Sequence, residues 1–164
     1  MPARKPPAPI DTFLPDLKAS HYKVRSAAVR ELGKSRNPDA VEPLIAALKD
    51  KTITVRFLAL RGLGKLKDPR AIEPMIPFLN HKTCRVHRAA YEELIRFGEK
   101  AVPALIGALE HSDPYIRCGA VFCLGEIGDL RALDPAQTLM KNDPDEWVRI
   151  RAARAVEEIK KKQP

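Results

Sequence analysis

The chain has 164 residues, enough for one domain with a continuous core, and its 45% hydrophobic and 30% charged residues are ordinary for a soluble globular protein. Its net charge is +8, but five of the 29 basic residues lie in the terminal segments 1–10 and 160–164, which contain no acid. The remaining 24 basic residues face 21 acidic ones, a balance that argues against a strongly nucleic-acid-binding body.

The first residues predict a tail rather than a targeting segment. No apolar run approaches 18 residues and none follows the basic start MPARKPPAPI, so we expect neither a membrane span nor a secretory signal. The basic, Pro-rich segment 1–9 is predicted to be disordered. Three cysteines without framework-like spacing favour a reducing compartment, with the cytoplasm as the default.

A step of about 31 residues organises the rest of the chain. An Ala follows each start residue by four positions and a Leu or Val follows it by eight; the starts, spaced 31, 31, 30 and 32 residues apart, are Val24, Val55, Val86, Ile116 and Val148. Self-similarity at this period is typical of a stacked solenoid, in which each unit buries its apolar face only against its neighbours.

Each repeat contains two helical patterns. The first helix carries a stripe of 3.6-residue period, as in Val55, Ala59, Leu60, Leu63 and Leu66. The second helix carries its own stripe, and residues suited to cap it precede it at Asn37, Asp68 and Asp129.

The predicted elements form one solenoid over 10–161. A lone second helix over 10–19 comes first, followed by helix pairs over about 22–50, 53–81, 84–111 and 114–142, and by a lone first helix over 145–161. Half-repeats at both ends fit the need of a solenoid for terminal caps. The fourth pair is degenerate, because Ala136 and Gln137 replace two apolar positions.

Two stretches, VRFLALRGLGKLKDPRAIEPMIPFL and VRSAAVRELGKSRNPDAVEPLIAAL, carry a family resemblance. They are similar to the HEAT-like repeats named after phycobilisome lyases, and the similarity extends over roughly 10–160. It implies an all-α, right-handed α-solenoid of antiparallel helix pairs, with second helices on the concave face and first helices on the convex face. It also implies a bilin lyase subunit or chaperone as one functional alternative, although no catalytic residue can be transferred from that family.

A column of basic residues follows the repeat starts at Arg25, Arg56, His87, Arg117 and Arg149. Guanidinium groups can bind phosphates, but this position lies at the flank of the apolar stripe. We therefore predict a structural role, with bonds to carbonyls and carboxylates of adjacent loops, Asp113 and Asp145 being the expected acids.

The exposed rows of the second helices form a candidate concave protein-binding surface that is weakly acidic at one edge and lacks central cations. It suits a helix or extended peptide, especially a basic one; the alternative is that Glu and Pro here merely suit a first helical turn. The predicted residues are Asp11, Glu42, Ala46, Glu73, Pro77, Phe78, Gly107 and Asp134.

The outer face offers two further candidates. A basic outer face is predicted at Arg30, Lys34, Arg61, Lys65 and Arg96, for which the alternative is an ordinary solvated helix face. The fourth first helix is uncharged over eight residues, and Cys118 and Phe122 stand where other repeats carry charge. They form a candidate apolar interface patch, homotypic binding included, unless a local tilt buries them.

Little in the sequence points to catalysis or to a metal. His81, Cys84 and His87 are metal-capable, with His111 one repeat later at the position of His81, but their spacing matches no paired-ligand motif. No Gly-rich phosphate loop and no Ser-His-Asp set is present. We therefore predict no cofactor and no enzyme.

The sequence thus favours a non-catalytic protein-protein interaction or scaffolding module, bound to another protein or peptide, with self-association through Phe122 as a further hypothesis. Nucleic-acid association through the basic outer face and tails is the alternative from another class. A bilin lyase subunit or chaperone is the alternative that the family resemblance supplies.

Overall fold

The structure of the protein is a computed structural model that describes residues 9–80 and 82–163. Every regular element in these ranges is a helix, either α or 3-10. Residues 1–8 of the predicted tail and His81 of the metal hypothesis lie outside the described residues. No helix within the described ranges is long and apolar enough to cross a membrane.

The chain divides into two compact units, Met1–Ala71 and Ile72–Pro164. The boundary falls inside the predicted helix pair 53–81. Unit 1 contains the α-helices α1 (Tyr22–Leu32), α2 (Val41–Ala47) and α3 (Ile53–Leu66), and the 3-10 segments Ile10–Thr12, Pro15–Lys18, Pro38–Ala40 and Pro69–Ala71. The single solenoid over 10–161 stays a prediction.

The described residues of unit 2 form the α-helices α4 (Ile72–Met75), α5 (Cys84–Phe97), α6 (Val102–Gly107), α7 (Pro114–Ile127), α8 (Leu133–Asn142) and α9 (Glu146–Lys161). Its 3-10 segments are Ile76–Asn80, Gly98–Ala101, Ala108–Glu110 and Leu130–Ala132. In this unit α9 packs against both α7 and α8.

Side-chain caps start the second helices as the sequence predicts. Asn37 Oδ1 accepts from the Asp39 backbone N–H at 2.9 Å, and Asp129 Oδ1 accepts in the same way from Arg131 at 2.9 Å. Each cap begins a 3-10 segment that leads into the α-helix, so the orphan N–H groups of the helix start are satisfied.

Prolines make the second helices shorter than the first ones. The predicted lone helix over 10–19 is instead a pair of 3-10 segments, Ile10–Thr12 and Pro15–Lys18. Pro15 has no N–H and cannot donate to the Asp11 carbonyl, so a continuous α-helix would lack this bond. Pro77 lies likewise in the 3-10 segment that follows α4.

The apolar stripe of the first helices forms the core within each unit. In α3, Ala59, Leu60 and Leu63 are fully buried, and Val55 is nearly so. The first repeat differs, since Val24 is 39% exposed: the two 3-10 segments that precede α1 do not cover it.

Candidate functional site

The Arg column has the structural role that the sequence predicts. Arg25 holds both oxygens of Asp50, with Nε–Oδ2 at 2.6 Å and Nη2–Oδ1 at 3.0 Å, and donates to the carbonyls of Ala19 and Ser20. Arg56 donates to the Asp50 carbonyl at 2.7 Å. These bonds tie helix starts to neighbouring loops in unit 1, so the guanidinium groups are engaged by the protein itself.

The acids that pair with this column are not the expected ones. In unit 2, Arg117 binds Asp143 and Arg149 donates to the Asp143 carbonyl at 2.8 Å. Asp113 and Asp145 instead cap α7 and α9, accepting from the backbone N–H of the second residue of each helix at 2.9 Å and 2.8 Å. An acid immediately before a helix satisfies orphan N–H groups and is not available for the column.

In unit 1, two of the predicted concave residues line a groove of about 640 Å³. Asp11 and Ala46 are exposed at its edge, and the apolar side chains of Leu14 and Leu17 line it. Glu42 is exposed as well, and its Oε1 lies 3.5 Å from Nη1 of Arg70, which partly offsets the negative charge of this row.

In unit 2, the predicted concave positions lie on the second helices of their repeats. Glu73, Pro77, Gly107 and Asp134 are exposed, and Phe78 is half-buried. Their exposure is compatible with a binding surface, which stays a prediction.

The predicted basic outer face is partly neutralised by its own helices. Lys34 Nζ lies 2.8 Å from Glu31, and Arg96 Nη1 lies 2.9 Å from the buried carboxylate of Glu93. Arg30 and Lys65 are exposed and Arg61 is half-buried.

Phe122 and Cys118 are both half-buried rather than fully exposed. The Phe122 ring meets Tyr91 edge-on at a centroid distance of 5.3 Å, and the Arg151 guanidinium carbon lies 5.1 Å from the Phe122 centroid. His87, on the same helix as Tyr91, meets the Tyr91 ring edge-on at a centroid distance of 4.4 Å. The aromatic side chains therefore form a connected row across α5 and α7, with Arg151 of α9 at its end.

Tyr91 packs closely against Gly119 of α7. A Cβ at Gly119 would lie 2.7 Å from Tyr91 Oη and 2.9 Å from Leu79 Cβ, closer than side chains approach. Only glycine leaves room for the ring there. Desolvation raises the pKa of the Tyr91 hydroxyl well above its ordinary value, so it stays a neutral donor.

This row adjoins a groove of about 720 Å³ in unit 2, formed by the first two turns of α5, α7 and α9. Tyr115 and Trp147 stand at its edge with 69% and 75% of their surfaces exposed. The groove is lined by Leu79, Asn80, Lys82, Cys84, His87, Tyr91, Pro114, Tyr115, Cys118, Asp145, Trp147, Val148 and Arg151.

Sequence reasoning overlooked Tyr115 and Trp147. Trp147 is the second residue of α9, inside the lone first helix predicted over 145–161. The signal was the column immediately before each repeat start, which changes from Lys23, Thr54 and Arg85 to aromatic residues in the last two repeats.

The metal-capable residues Cys84 and His87 line the same groove, together with Cys118. Among the described residues, no group of three or more His, Cys, Asp or Glu side chains is arranged to hold a metal ion. Cys123 is buried, and desolvation raises the pKa of its thiol, which disfavours the reactive thiolate.

Comparison with solved structures supports the predicted fold. The chain is 27% identical to a chain of the complex of CpcE and CpcF of phycocyanin lyase from a Nostoc species, with 99% of this chain and 69% of that chain covered and a TM-score of 0.60. An engineered protein is 21% identical over 93% of this chain and 79% of its own, with a TM-score of 0.54. The chain is also 16% identical to a chain in a structure of microtubule polymerases with tumor overexpressed gene domain arrays, which concerns tubulin recruitment. This match covers 89% of this chain and 39% of that chain, with a TM-score of 0.67.

The last two similarities show the fold alone, an α-solenoid of antiparallel helix pairs, and the predicted fold class is confirmed. A comparison with curated proteins finds no match. A family model that describes HEAT repeats matches residues 10–95 and again 72–157. Because these matches span most of the chain and agree with the resemblance seen in its sequence, the protein belongs to the HEAT-repeat family.

Proposed function

We propose that the chain is a non-catalytic protein-protein interaction module, in which the groove of unit 2 binds a segment of a partner protein. The observation that carries the proposal is the pair Tyr115 and Trp147, two large aromatic side chains that stand mostly exposed at the edge of one groove. Aromatic residues in such positions supply most of the affinity of protein interfaces.

The groove is also organised before a partner arrives. Tyr91 makes edge-on ring contacts with both His87 and Phe122, and it lies against the backbone of Gly119. When a partner buries these rings, the protein loses little side-chain entropy, because the orientations of the rings are already set. Trp147 and Tyr115 then add apolar area at each edge.

The experiment uses Trp147 as its own reporter, since it is the only tryptophan of the chain. A library of short random peptides is displayed and selected against the whole protein, and enriched peptides are titrated while the tryptophan emission is recorded. We expect a blue shift on binding, because burial removes water from an indole that is now 75% exposed.

Variants then locate the binding surface. Tyr115→Ala should lower the affinity for the selected peptides by about tenfold or more, as expected for an interface anchor. The matched control is Leu130→Ala, which removes another exposed large side chain of unit 2 outside the groove and should leave affinity unchanged. A selection without binders, or binders indifferent to Tyr115, would contradict the proposal.

In each unit, the acidic positions on the second helices are a further proposed surface, suited to a basic partner segment. Glu42 and Glu73 are both exposed. Reversing either charge, in Glu42→Arg or Glu73→Arg, should lower the affinity for basic peptides selected against the whole protein. It should also slow their association, because complementary charge speeds the encounter of two partners. Unchanged affinity and an unchanged association rate in a variant would exclude the surface of the unit that carries it.

A bilin lyase subunit is a second candidate function, favoured by the similarity to the CpcE–CpcF complex over 99% of this chain. That structure is a complex of two proteins, so this candidate also implies a partner subunit. The test adds a bilin to the purified chain, alone and with a co-expressed candidate subunit. Stoichiometric change of the bilin absorption spectrum supports the candidate, and an unchanged spectrum in both samples excludes it.

A further inference from the structure

We propose that unit 1 contains a binding site for a small phosphate-bearing anion, formed by Arg36, Lys65 and Lys67. The three cationic side chains line a cavity of about 600 Å³ next to the ends of α1 and α3. Two of them occupy backbone conformations that side chains rarely adopt. None of its lining residues lines the aromatic groove, so this proposal is independent of the proposed function.

Lys67 stands where another repeat has glycine. It ends α3 with φ 54° and ψ 30°, and its N–H donates to the Leu63 carbonyl at 3.1 Å. Gly128 ends α7 in the same way, with φ 79° and ψ 20° and a bond of 2.9 Å to the Leu124 carbonyl. Glycine adopts this left-handed conformation at little cost, whereas lysine is strained in it.

Arg36 repeats the observation one repeat earlier. It lies eleven residues after its column residue, as Lys67, Gly98 and Gly128 do after theirs. Its φ is 56°, and Arg36 and Lys67 are the non-glycine residues with positive φ among those described. Unit 2 therefore has glycine at this position twice, and unit 1 has a strained cation twice.

The cavity is electrically unbalanced in favour of an anion. Within the described part of the chain, the side chains of Arg36, Lys65 and Lys67 form no ion pair. The acid in the lining is Asp68, whose two oxygens are already held by Arg70, with Nε–Oδ1 at 3.0 Å and Nη2–Oδ2 at 2.9 Å. Among the described residues, these three positive charges thus have no counterion.

Phosphate oxygens fit this set of donors. A guanidinium presents a planar fork that matches two phosphate oxygens, and each ammonium supplies a compact charge. Strained backbone persists where it holds a side chain in a useful place. In this proposal the charged side chain at the left-handed position binds the anion, and this binding offsets the backbone strain that glycine would avoid.

The experiment measures pyrophosphate binding and stability together, on the whole protein at constant ionic strength. Lys67→Gly removes the charge and the strain, whereas Lys67→Gln removes the charge and keeps the strain. We expect both variants to weaken pyrophosphate binding by about tenfold, as for a lost charge-assisted contact, measured by titration calorimetry. Only Lys67→Gly should raise the denaturant midpoint.

Arg36→Gly should behave like Lys67→Gly, and Arg30→Gln, which removes an exposed cation outside the cavity, is the matched control. Pyrophosphate binding that is absent, or equal in all these proteins, would overturn the proposal even if Lys67→Gly is more stable. A single-stranded oligonucleotide is titrated in parallel. If it binds through Lys67 and pyrophosphate does not, the small-anion site is wrong and the phosphates of nucleic acid are the ligand.

Discussion

Arg117 and Asp143 form a bidentate ion pair inside unit 2, with Nε–Oδ2 at 2.7 Å and Nη2–Oδ1 at 2.8 Å. Arg117 also donates to the carbonyls of His111 and Ser112, so one buried guanidinium joins two loops to the start of α7. Arg25 and Asp50 repeat this arrangement in unit 1. The pair fixes inter-repeat loops and is not a phosphate-binding device.

Asp143→Ala should therefore destabilise the protein strongly. It leaves the Arg117 charge buried without its partner, and removal of one member of a buried pair costs about 3–5 kcal/mol. Urea denaturation followed by circular dichroism measures the loss. The matched control is Arg131→Gln, which breaks the exposed pair with Asp129 and should leave the midpoint nearly unchanged. Equal effects of the two variants would mean that burial does not matter here.

Acid should destabilise the protein through the same carboxylates. The hydrogen bond from Arg117 is the main cause that holds the pKa of Asp143 below its usual value, and Arg25 does the same for Asp50. Since the folded pKa is lower than the unfolded one, the unfolded chain binds protons first as pH falls. The stability from these groups is complete above the ordinary Asp pKa of about 3.9 and is lost below it.

The measurement is the free energy of unfolding in urea at a series of pH values between neutrality and acid. Asp143→Asn cannot titrate at this position, so its stability should fall less steeply with acid than that of the parent protein. A parallel decline in both proteins would assign the acid sensitivity to other groups.

Periodicity predicts the fold because burial repeats with it. The stripe in α3 assigns Ala59, Leu60 and Leu63 to the core, and all three are fully buried. A Val at the same register position is exposed in the first repeat, where Val24 has too little structure before it. Pattern alone gives the register of a residue but not whether a neighbour covers it.

The candidate site was less predictable, because it depends on which groups compete for one partner. Asp113 and Asp145 lie near the Arg column in sequence, but their carboxylates accept hydrogen bonds from backbone N–H groups instead. The uncharged sequence around Phe122 predicts an exposed patch. In the structure, Tyr91 and Arg151 partly cover Phe122 from other helices. Such contacts join residues about 30 positions apart and leave no local signal.

Leu63→Ala tests the register of the core. Leu63 is fully buried, and removing most of its side chain should cost about 2–5 kcal/mol through lost burial and the remaining cavity. Ile53→Ala, at the exposed start of the same helix, is the matched control and should cost much less, since Ile53 is 43% exposed. Urea denaturation distinguishes the two. A loss below about 0.5 kcal/mol for Leu63→Ala would mean that the register is wrong.

Phe122→Glu tests the proposed self-association. The ring lies half-buried between Tyr91 and Arg151, so a second copy of the chain would have to contact its remaining exposed edge together with Cys118. A carboxylate there is costly to bury in an interface and should shift any dimer to monomer, measured by sedimentation velocity over a concentration series. The control is Lys160→Glu, an exposed charge change on α9 outside the patch. If Phe122→Glu remains folded and associates as the parent protein does, Phe122 is a structural residue of the aromatic row and the homotypic interface is excluded.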